Sequence, residues 1–163
     1  MKNLSLITIA LCLWAGETLA QRKSLPRFEE FPVKERFVGK PAPVKLSSTQ
    51  ARKYRTTLRR WAKFGPNFAG RYIVAIWGCG TFSCGGFGII DARTSNVYFL
   101  PKLHHVSLAW LDQEEREPIK FRKYSRLLVL TGELTFEDGT MKTGQYFYLW
   151  KNNQFKLIRF NEI

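Results

Sequence analysis

Acidic residues are scarce in this chain of 163 residues: 13 Asp and Glu stand against 26 Lys and Arg, a formal net charge of +13. Histidine occurs twice and cysteine three times. A four-ligand zinc site would have to draw on Cys79, Cys84, His104 and His105, and adjacent histidines on a strand are expected to point opposite ways. No metal and no cofactor are therefore expected. There is no collagen period, heptad run or long repeat, which excludes fibrous and solenoid architectures. No apolar run reaches the roughly 20 residues that a bilayer-spanning helix needs. Aromatic residues are plentiful, with 13 Phe, 6 Tyr and 5 Trp. That much apolar surface offsets chain entropy and excludes disorder. The length suits one domain.

The first twenty residues read as an export signal. Lys2 gives a positive start, residues 4–15 are almost wholly apolar, and Gly16, Thr18 and Ala20 suit cleavage after Ala20. A lipidated Cys12 is disfavoured, because Leu11 precedes it where a small residue is expected. Cleavage would remove one base, Lys2, and one acid, Glu17, and leave the net charge unchanged. The predicted destination is periplasmic or extracellular. Beyond the leader only Cys79 and Cys84 remain, and two cysteines in an oxidising compartment read as one disulfide.

Residues 21–46 hold four of the seven prolines and predict an extended, basic arm, pinned by Phe28, Phe31, Phe37 and Val38. Residues 47–163 predict a single α+β domain: one amphipathic helix packed on a mainly antiparallel sheet, as a curled sheet, sandwich or small barrel. The helix is expected over 47–64, capped by Ser47 with Gln50 and stopped by Gly65-Pro66. Ala51, Tyr54, Leu58, Trp61 and Ala62 form its apolar stripe. Arg52, Arg55, Arg59 and Lys63 line its opposite face without an acid among them. Like charges at that spacing repel by a few tenths of a kcal/mol. The row reads either as a solvated surface or as a face that meets an anion. Six or seven strands follow, expected at 71–77, 87–92, 97–100, 106–111, 126–133, 144–150 and 154–160. Lys151-Asn152-Asn153 turns the last hairpin.

The least ordinary stretch runs from Asn67 to Gly88. Its glycine-rich centre lacks the Gly-Lys-Ser/Thr of a phosphate loop and leads into a strand. Asp91 sits at a turn and reads as a turn cap. The order Asn67-Phe68-Ala69-Gly70-x-Tyr72, then Trp77-Gly78-Cys79-Gly80-x-x-x-Cys84, then Ile90-Asp91-Ala92, resembles a family of small exported bacterial proteins. The resemblance runs from about Pro41 to Ile158, and the stretch from Ser125 and the hairpin after Gly144 look like its later blocks. It implies export and brings no particular chemistry. Relatives often carry His at the position of Arg71, and arginine cannot shuttle protons.

An exported chain this basic meets anionic material of the envelope. The expected function is binding of an anionic envelope component or an envelope protein, without catalysis, through Arg52, Arg55, Arg59, Lys63 and Arg71. One alternative is a periplasmic inhibitor or immunity-type protein. A second is an envelope hydrolase using His104 or His105 with Asp91 or a serine, although no nucleophile–base–orienter set stands out. Cytoplasmic nucleic acid is not an expected partner.

Overall fold

The computed structural model describes residues 24–78, 80, 84–107 and 117–163. The proposed leader, Cys12, Cys79, the loop at 81–83 and the end of the strand expected at 106–111 lie outside the described residues. Two short helices, α1 (Thr49–Lys53) and α2 (Arg55–Ala62), precede the strands. These are β1 (Tyr72–Gly78), β2 (Cys84–Asp91), β3 (Val97–Tyr98), β4 (Leu103–Ser107), β5 (Ile119–Phe121), β6 (Leu127–Phe136), β7 (Met141–Lys151) and β8 (Gln154–Glu162). All eight join one antiparallel sheet in the order β1-β2-β4-β6-β7-β8, with β3 beside β2 and β5 beside β6.

The protein is thus β-rich with an open sheet; the two-sheet sandwich and the closed barrel are not its form among the described residues. The sheet is curled nonetheless. Tyr72 at the start of β1 meets Trp150 near the end of β7 edge-on, ring centroids 5.2 Å apart, although β1 and β7 are not neighbours. Gly132 in mid-β6 permits part of this bend: its φ is +134° and a Cβ there would collide with the carbonyl oxygen of Ser107 on β4.

Strand alternation sorts the core. Tyr72 and Val74 of β1 face an inner cluster with Phe87, Leu130, Tyr148 and Trp150, while Ile73 and Ala75 face the helices. Against these, α1 and α2 bury Ala51 and Leu58, and Tyr54, Trp61 and Ala62 pack at the margin. The helix expected over 47–64 is broken at Tyr54, whose dihedrals (φ −99°, ψ 19°) leave the helical range. Its ring stacks on Trp77 at 4.1 Å, and that contact takes precedence over a straight helix. The cap is Ser48, not Ser47: its Oγ accepts from the Ala51 amide at 3.0 Å.

The arm at 24–46 is strapped to the sheet. Phe28 and Phe31 cover Leu127, Val129 and Phe147, and Phe37 joins the helix-side cluster. Val38 does not pin it, being 92% exposed. Nor is the arm wholly extended, since Phe28–Glu30 form one 3₁₀ turn, closed by the Glu30 amide donating to the Arg27 carbonyl. The aromatics of β7 are core residues: Tyr146, Phe147, Tyr148 and Trp150 are all buried. No helix among the described residues is long and apolar enough to cross a membrane.

Two fold-level outcomes are expected. Gly132→Ala should lower stability by about 1–3 kcal/mol, read in a denaturant melt, because the new Cβ meets both an unfavourable φ and the Ser107 carbonyl. Burial pushes the Tyr148 phenol, with a further push from Tyr146, from 10 up to about 12; burial does the same to Tyr146. The folded chain therefore holds these protons where the unfolded chain releases them, so stability is full below pH 10 and falls as pH rises toward 12. Tyr148→Phe should flatten that alkaline slope in melts recorded across the same range.

Candidate functional site

The site grows from a turn. Ala69 and Gly70 both adopt positive φ, so the chain reverses within 68–72, where Phe68 and Tyr72 exchange backbone hydrogen bonds at 2.9 Å. Asn67 clamps the reversal onto β1, its side chain accepting from the Val74 amide at 2.8 Å and donating to the Val74 carbonyl at 3.2 Å. Gly70 has no room for a Cβ, because the Glu35 carbonyl of the arm lies against it, and its own carbonyl accepts from the Phe37 amide at 3.0 Å. The Asn-Phe-Ala-Gly-x-Tyr run is thus an architectural device that seats the arm beside Arg71.

Arg71 is the hub. Its guanidinium donates to Glu35 at 3.1 Å and to the Tyr72 hydroxyl at 2.8 Å, and lies 3.2 Å from Asp91 Oδ2. That last contact is ionic, with an angle short of a hydrogen bond. Asp91 is wholly buried, and its other oxygen accepts from the Arg93 amide at 2.9 Å and the Thr94 amide at 3.4 Å, capping the turn after β2. Glu35 also pairs with the Arg93 guanidinium. Tyr72 donates onward to Asn153 Oδ1 at 2.6 Å. Burial raises the Tyr72 pKa, against the opposing pull of Trp150 and Arg71. The chain Arg71–Tyr72–Asn153 therefore stays neutral at its hydroxyl and links β1 to the β7–β8 turn.

Around this hub opens a cleft of about 680 Å³. Pro32 to Glu35 of the arm form one wall, Ala69 to Tyr72 the floor, and Arg126 with 150–153 of the β7–β8 hairpin the other wall. Four cations border it: Lys34, Arg71, Arg126 and Lys151. Among the described residues its one carboxylate, Glu35, is already shared by Arg71 and Arg93.

Only one sequence candidate, Arg71, belongs to this cleft. Arg52, Arg55, Arg59 and Lys63 are exposed on the helices. Arg52 is folded back on its own segment, donating to the Leu46 and Ser47 carbonyls at 3.4 and 3.3 Å, and Arg55 donates to the Arg52 carbonyl at 3.4 Å. Arg59 and Lys63 border a separate groove with 40–44 of the arm. The row and Arg71 therefore do not share a concavity. Cys84 opens β2 opposite Ser107, while Cys79 lies outside the described residues. The expectation that His104 and His105 diverge is overturned: a register irregularity in β4 between Leu103 and His105 brings their Nδ1 atoms to 3.0 Å. Asp91 is engaged by Arg71, so the histidine–Asp91 pairing of a hydrolase is not assembled. Nothing local in the sequence marks Lys34 or Arg126 as cleft residues, and Lys151 and Asn153 are marked only as part of a hairpin turn.

Removing the buried carboxylate should be severe. Asp91→Ala is expected to cost about 3 kcal/mol in chemical denaturation, the low end for a broken buried pair because Arg71 retains some exposure. A cost below 1 kcal/mol would show that the pair contributes little. Comparison of the chain with protein-family models, with curated proteins and with solved structures finds no match in any of the three.

Proposed function

We propose that this chain is an exported, non-catalytic binding protein whose partner is an anionic component of the bacterial envelope, held at the cleft around Arg71. The observation that carries this reading is the uncompensated charge of that cleft. Glu35 and Asp91 together balance Arg71 and Arg93, leaving Lys34, Arg126 and Lys151 without a carboxylate partner among the cleft residues. Its volume of about 680 Å³ falls within the range typical of small-ligand sites. Arginine offers planar, two-pronged donation to a carboxylate or phosphate, and the Asn152 and Asn153 amides stand beside it. A short acidic saccharide or phosphorylated headgroup fits this chemistry. The acid-free outer face of α1 and α2 adds a long-range field that raises encounter rates with a polymer of opposite charge. A Cys79–Cys84 disulfide belongs to the same proposal, as a clamp on the loop between β1 and β2.

Binding to a sulfated polysaccharide should weaken steeply between about 0.05 and 0.5 M salt, as screening shortens the reach of exposed charge. Arg126→Ala with Lys151→Ala should lower affinity for a short acidic oligosaccharide about tenfold, equivalent to 1.4 kcal/mol. Alanine at Arg55, Arg59 and Lys63 should weaken only the polymer. Calorimetry that finds neither salt dependence nor an effect of the cleft pair would refute the proposal.

A second reading, a protein inhibitor or immunity-type partner, draws on different residues. Phe64 is 77% exposed beside α2, and the groove between Pro41–Val44 and Ala62 is largely apolar. A protein partner would bury both. In that case Phe64→Ala should release a stoichiometric partner that high salt leaves bound.

A further inference from the structure

The two histidines of this chain meet on β4. In a regular strand their side chains would leave on opposite faces. The irregularity between Leu103 and His105 undoes the alternation, and Lys102 before them takes a positive φ of 60°. The result is an Nδ1···Nδ1 distance of 3.0 Å with the ring planes inclined at 67°. Two neutral imidazoles reach this distance by sharing one N–H. The distance also matches metal chelation. With metal–nitrogen bonds of about 2.0–2.1 Å, two nitrogens on one ion stand about 2.9 Å apart at a right angle and about 3.3 Å apart at the tetrahedral angle.

The surroundings suit the second use. His105 Nε2 lies 3.4 Å from Thr135 Oγ1 on β6, the strand that pairs with β4. When the Nε2–H donates to that hydroxyl, Nδ1 is left with the lone pair. Metal-binding histidines are oriented in this way by a partner on the far nitrogen. Thr135 is the direct pairing partner of His105, so the support sits on a rigid ladder. His104 is exposed, which leaves the ion open to solvent ligands. Among the described residues no third His, Cys, Asp or Glu converges here, so water would complete the coordination. Imidazole nitrogen with water favours copper(II), nickel(II) and zinc(II) over calcium or magnesium.

We propose that His104 and His105 form a solvent-open chelate for a divalent transition-metal ion, oriented by Thr135 and separate from the cationic cleft. The site uses both Nδ1 atoms; the proton shared between them moves to Nε2 of the ring that carries it, which leaves both Nδ1 lone pairs for the ion. Its failure would leave the anion-binding reading intact, because the two share no residue.

The test is calorimetric titration of the tag-free chain with zinc(II), nickel(II) and copper(II) chloride, with imidazole nitrogen NMR to identify the ligating atoms. One ion per chain is expected, with the larger shifts at Nδ1. His104→Ala and His105→Ala should each lower affinity at least tenfold, and Thr135→Val by a smaller factor, within the range for loss of an orienting partner, about 10–100-fold at most. Circular dichroism of the exposed-site variant His104→Ala guards against loss of fold. The absence of saturable binding would overturn the proposal. So would binding that survives unchanged in both histidine variants, or ligation through Nε2.

Discussion

A carboxylate that is fully buried must find its compensation inside the protein, and Asp91 finds it in Arg71 and in the amides of its own turn. That requirement organises much of the molecule. Arg71 cannot reach Asp91 unless the reversal at 68–72 sets the start of β1 against the end of β2, where Tyr72 and Asp91 stand in register. Once in place, the same guanidinium draws Glu35 and so anchors the arm. Through Tyr72 it also reaches Asn153, at the far end of the sheet. One ion pair thus ties together the first strand, the arm and the last hairpin, segments separated by long stretches of chain. An isolated charge at Asp91 would be far costlier than any of these contacts is favourable, which is why the arrangement is cooperative.

Some of the chain's few acids serve assembly. Asp91 and Glu35 hold arginines in position, and Glu29 pairs with Arg122 beneath the 3₁₀ turn of the arm. Exposed pairs such as the last contribute little to stability, whereas a carboxylate committed to a buried partner is withdrawn from the surface. What remains outside is mostly positive. The basicity read from composition therefore acquires a geometry: a cleft with three uncompensated cations on one side and a helix face with an acid-free row on another.

Local irregularities carry much of the specificity. Gly70 admits the arm because nothing projects from its Cα, and Gly132 lets the Ser107 carbonyl of the neighbouring strand β4 lie close against β6. The irregular start of β4 turns two histidines that simple alternation would separate into a touching pair. In each case a departure from ideal geometry sits where one segment must approach another more closely than a regular ladder permits.

Periodicity made the helix stripe legible: Ala51, Tyr54, Leu58, Trp61 and Ala62 do face the sheet, because a 3.6-residue repeat is a local property. The Asn152-Asn153 turn was legible for the same reason, since both residues tolerate the positive φ they adopt. Composition set the charge, the strand-like runs between turns set the β-rich class, and turn chemistry marked Asp91 as a cap. The break at Tyr54 was not legible, because Trp77, which stacks on it, lies on another element. Neither was β5, whose three residues are held by pairing with Leu128 to Leu130 on β6. The cleft could not be read at all: Lys34, Arg71, Arg126 and Lys151 are dispersed in the chain and meet only when the sheet curls. Sequence determines what depends on neighbours along the backbone. Only the tertiary structure decides which distant charges come to border the same space, because that depends on how the strands cross and on which buried group must be neutralised.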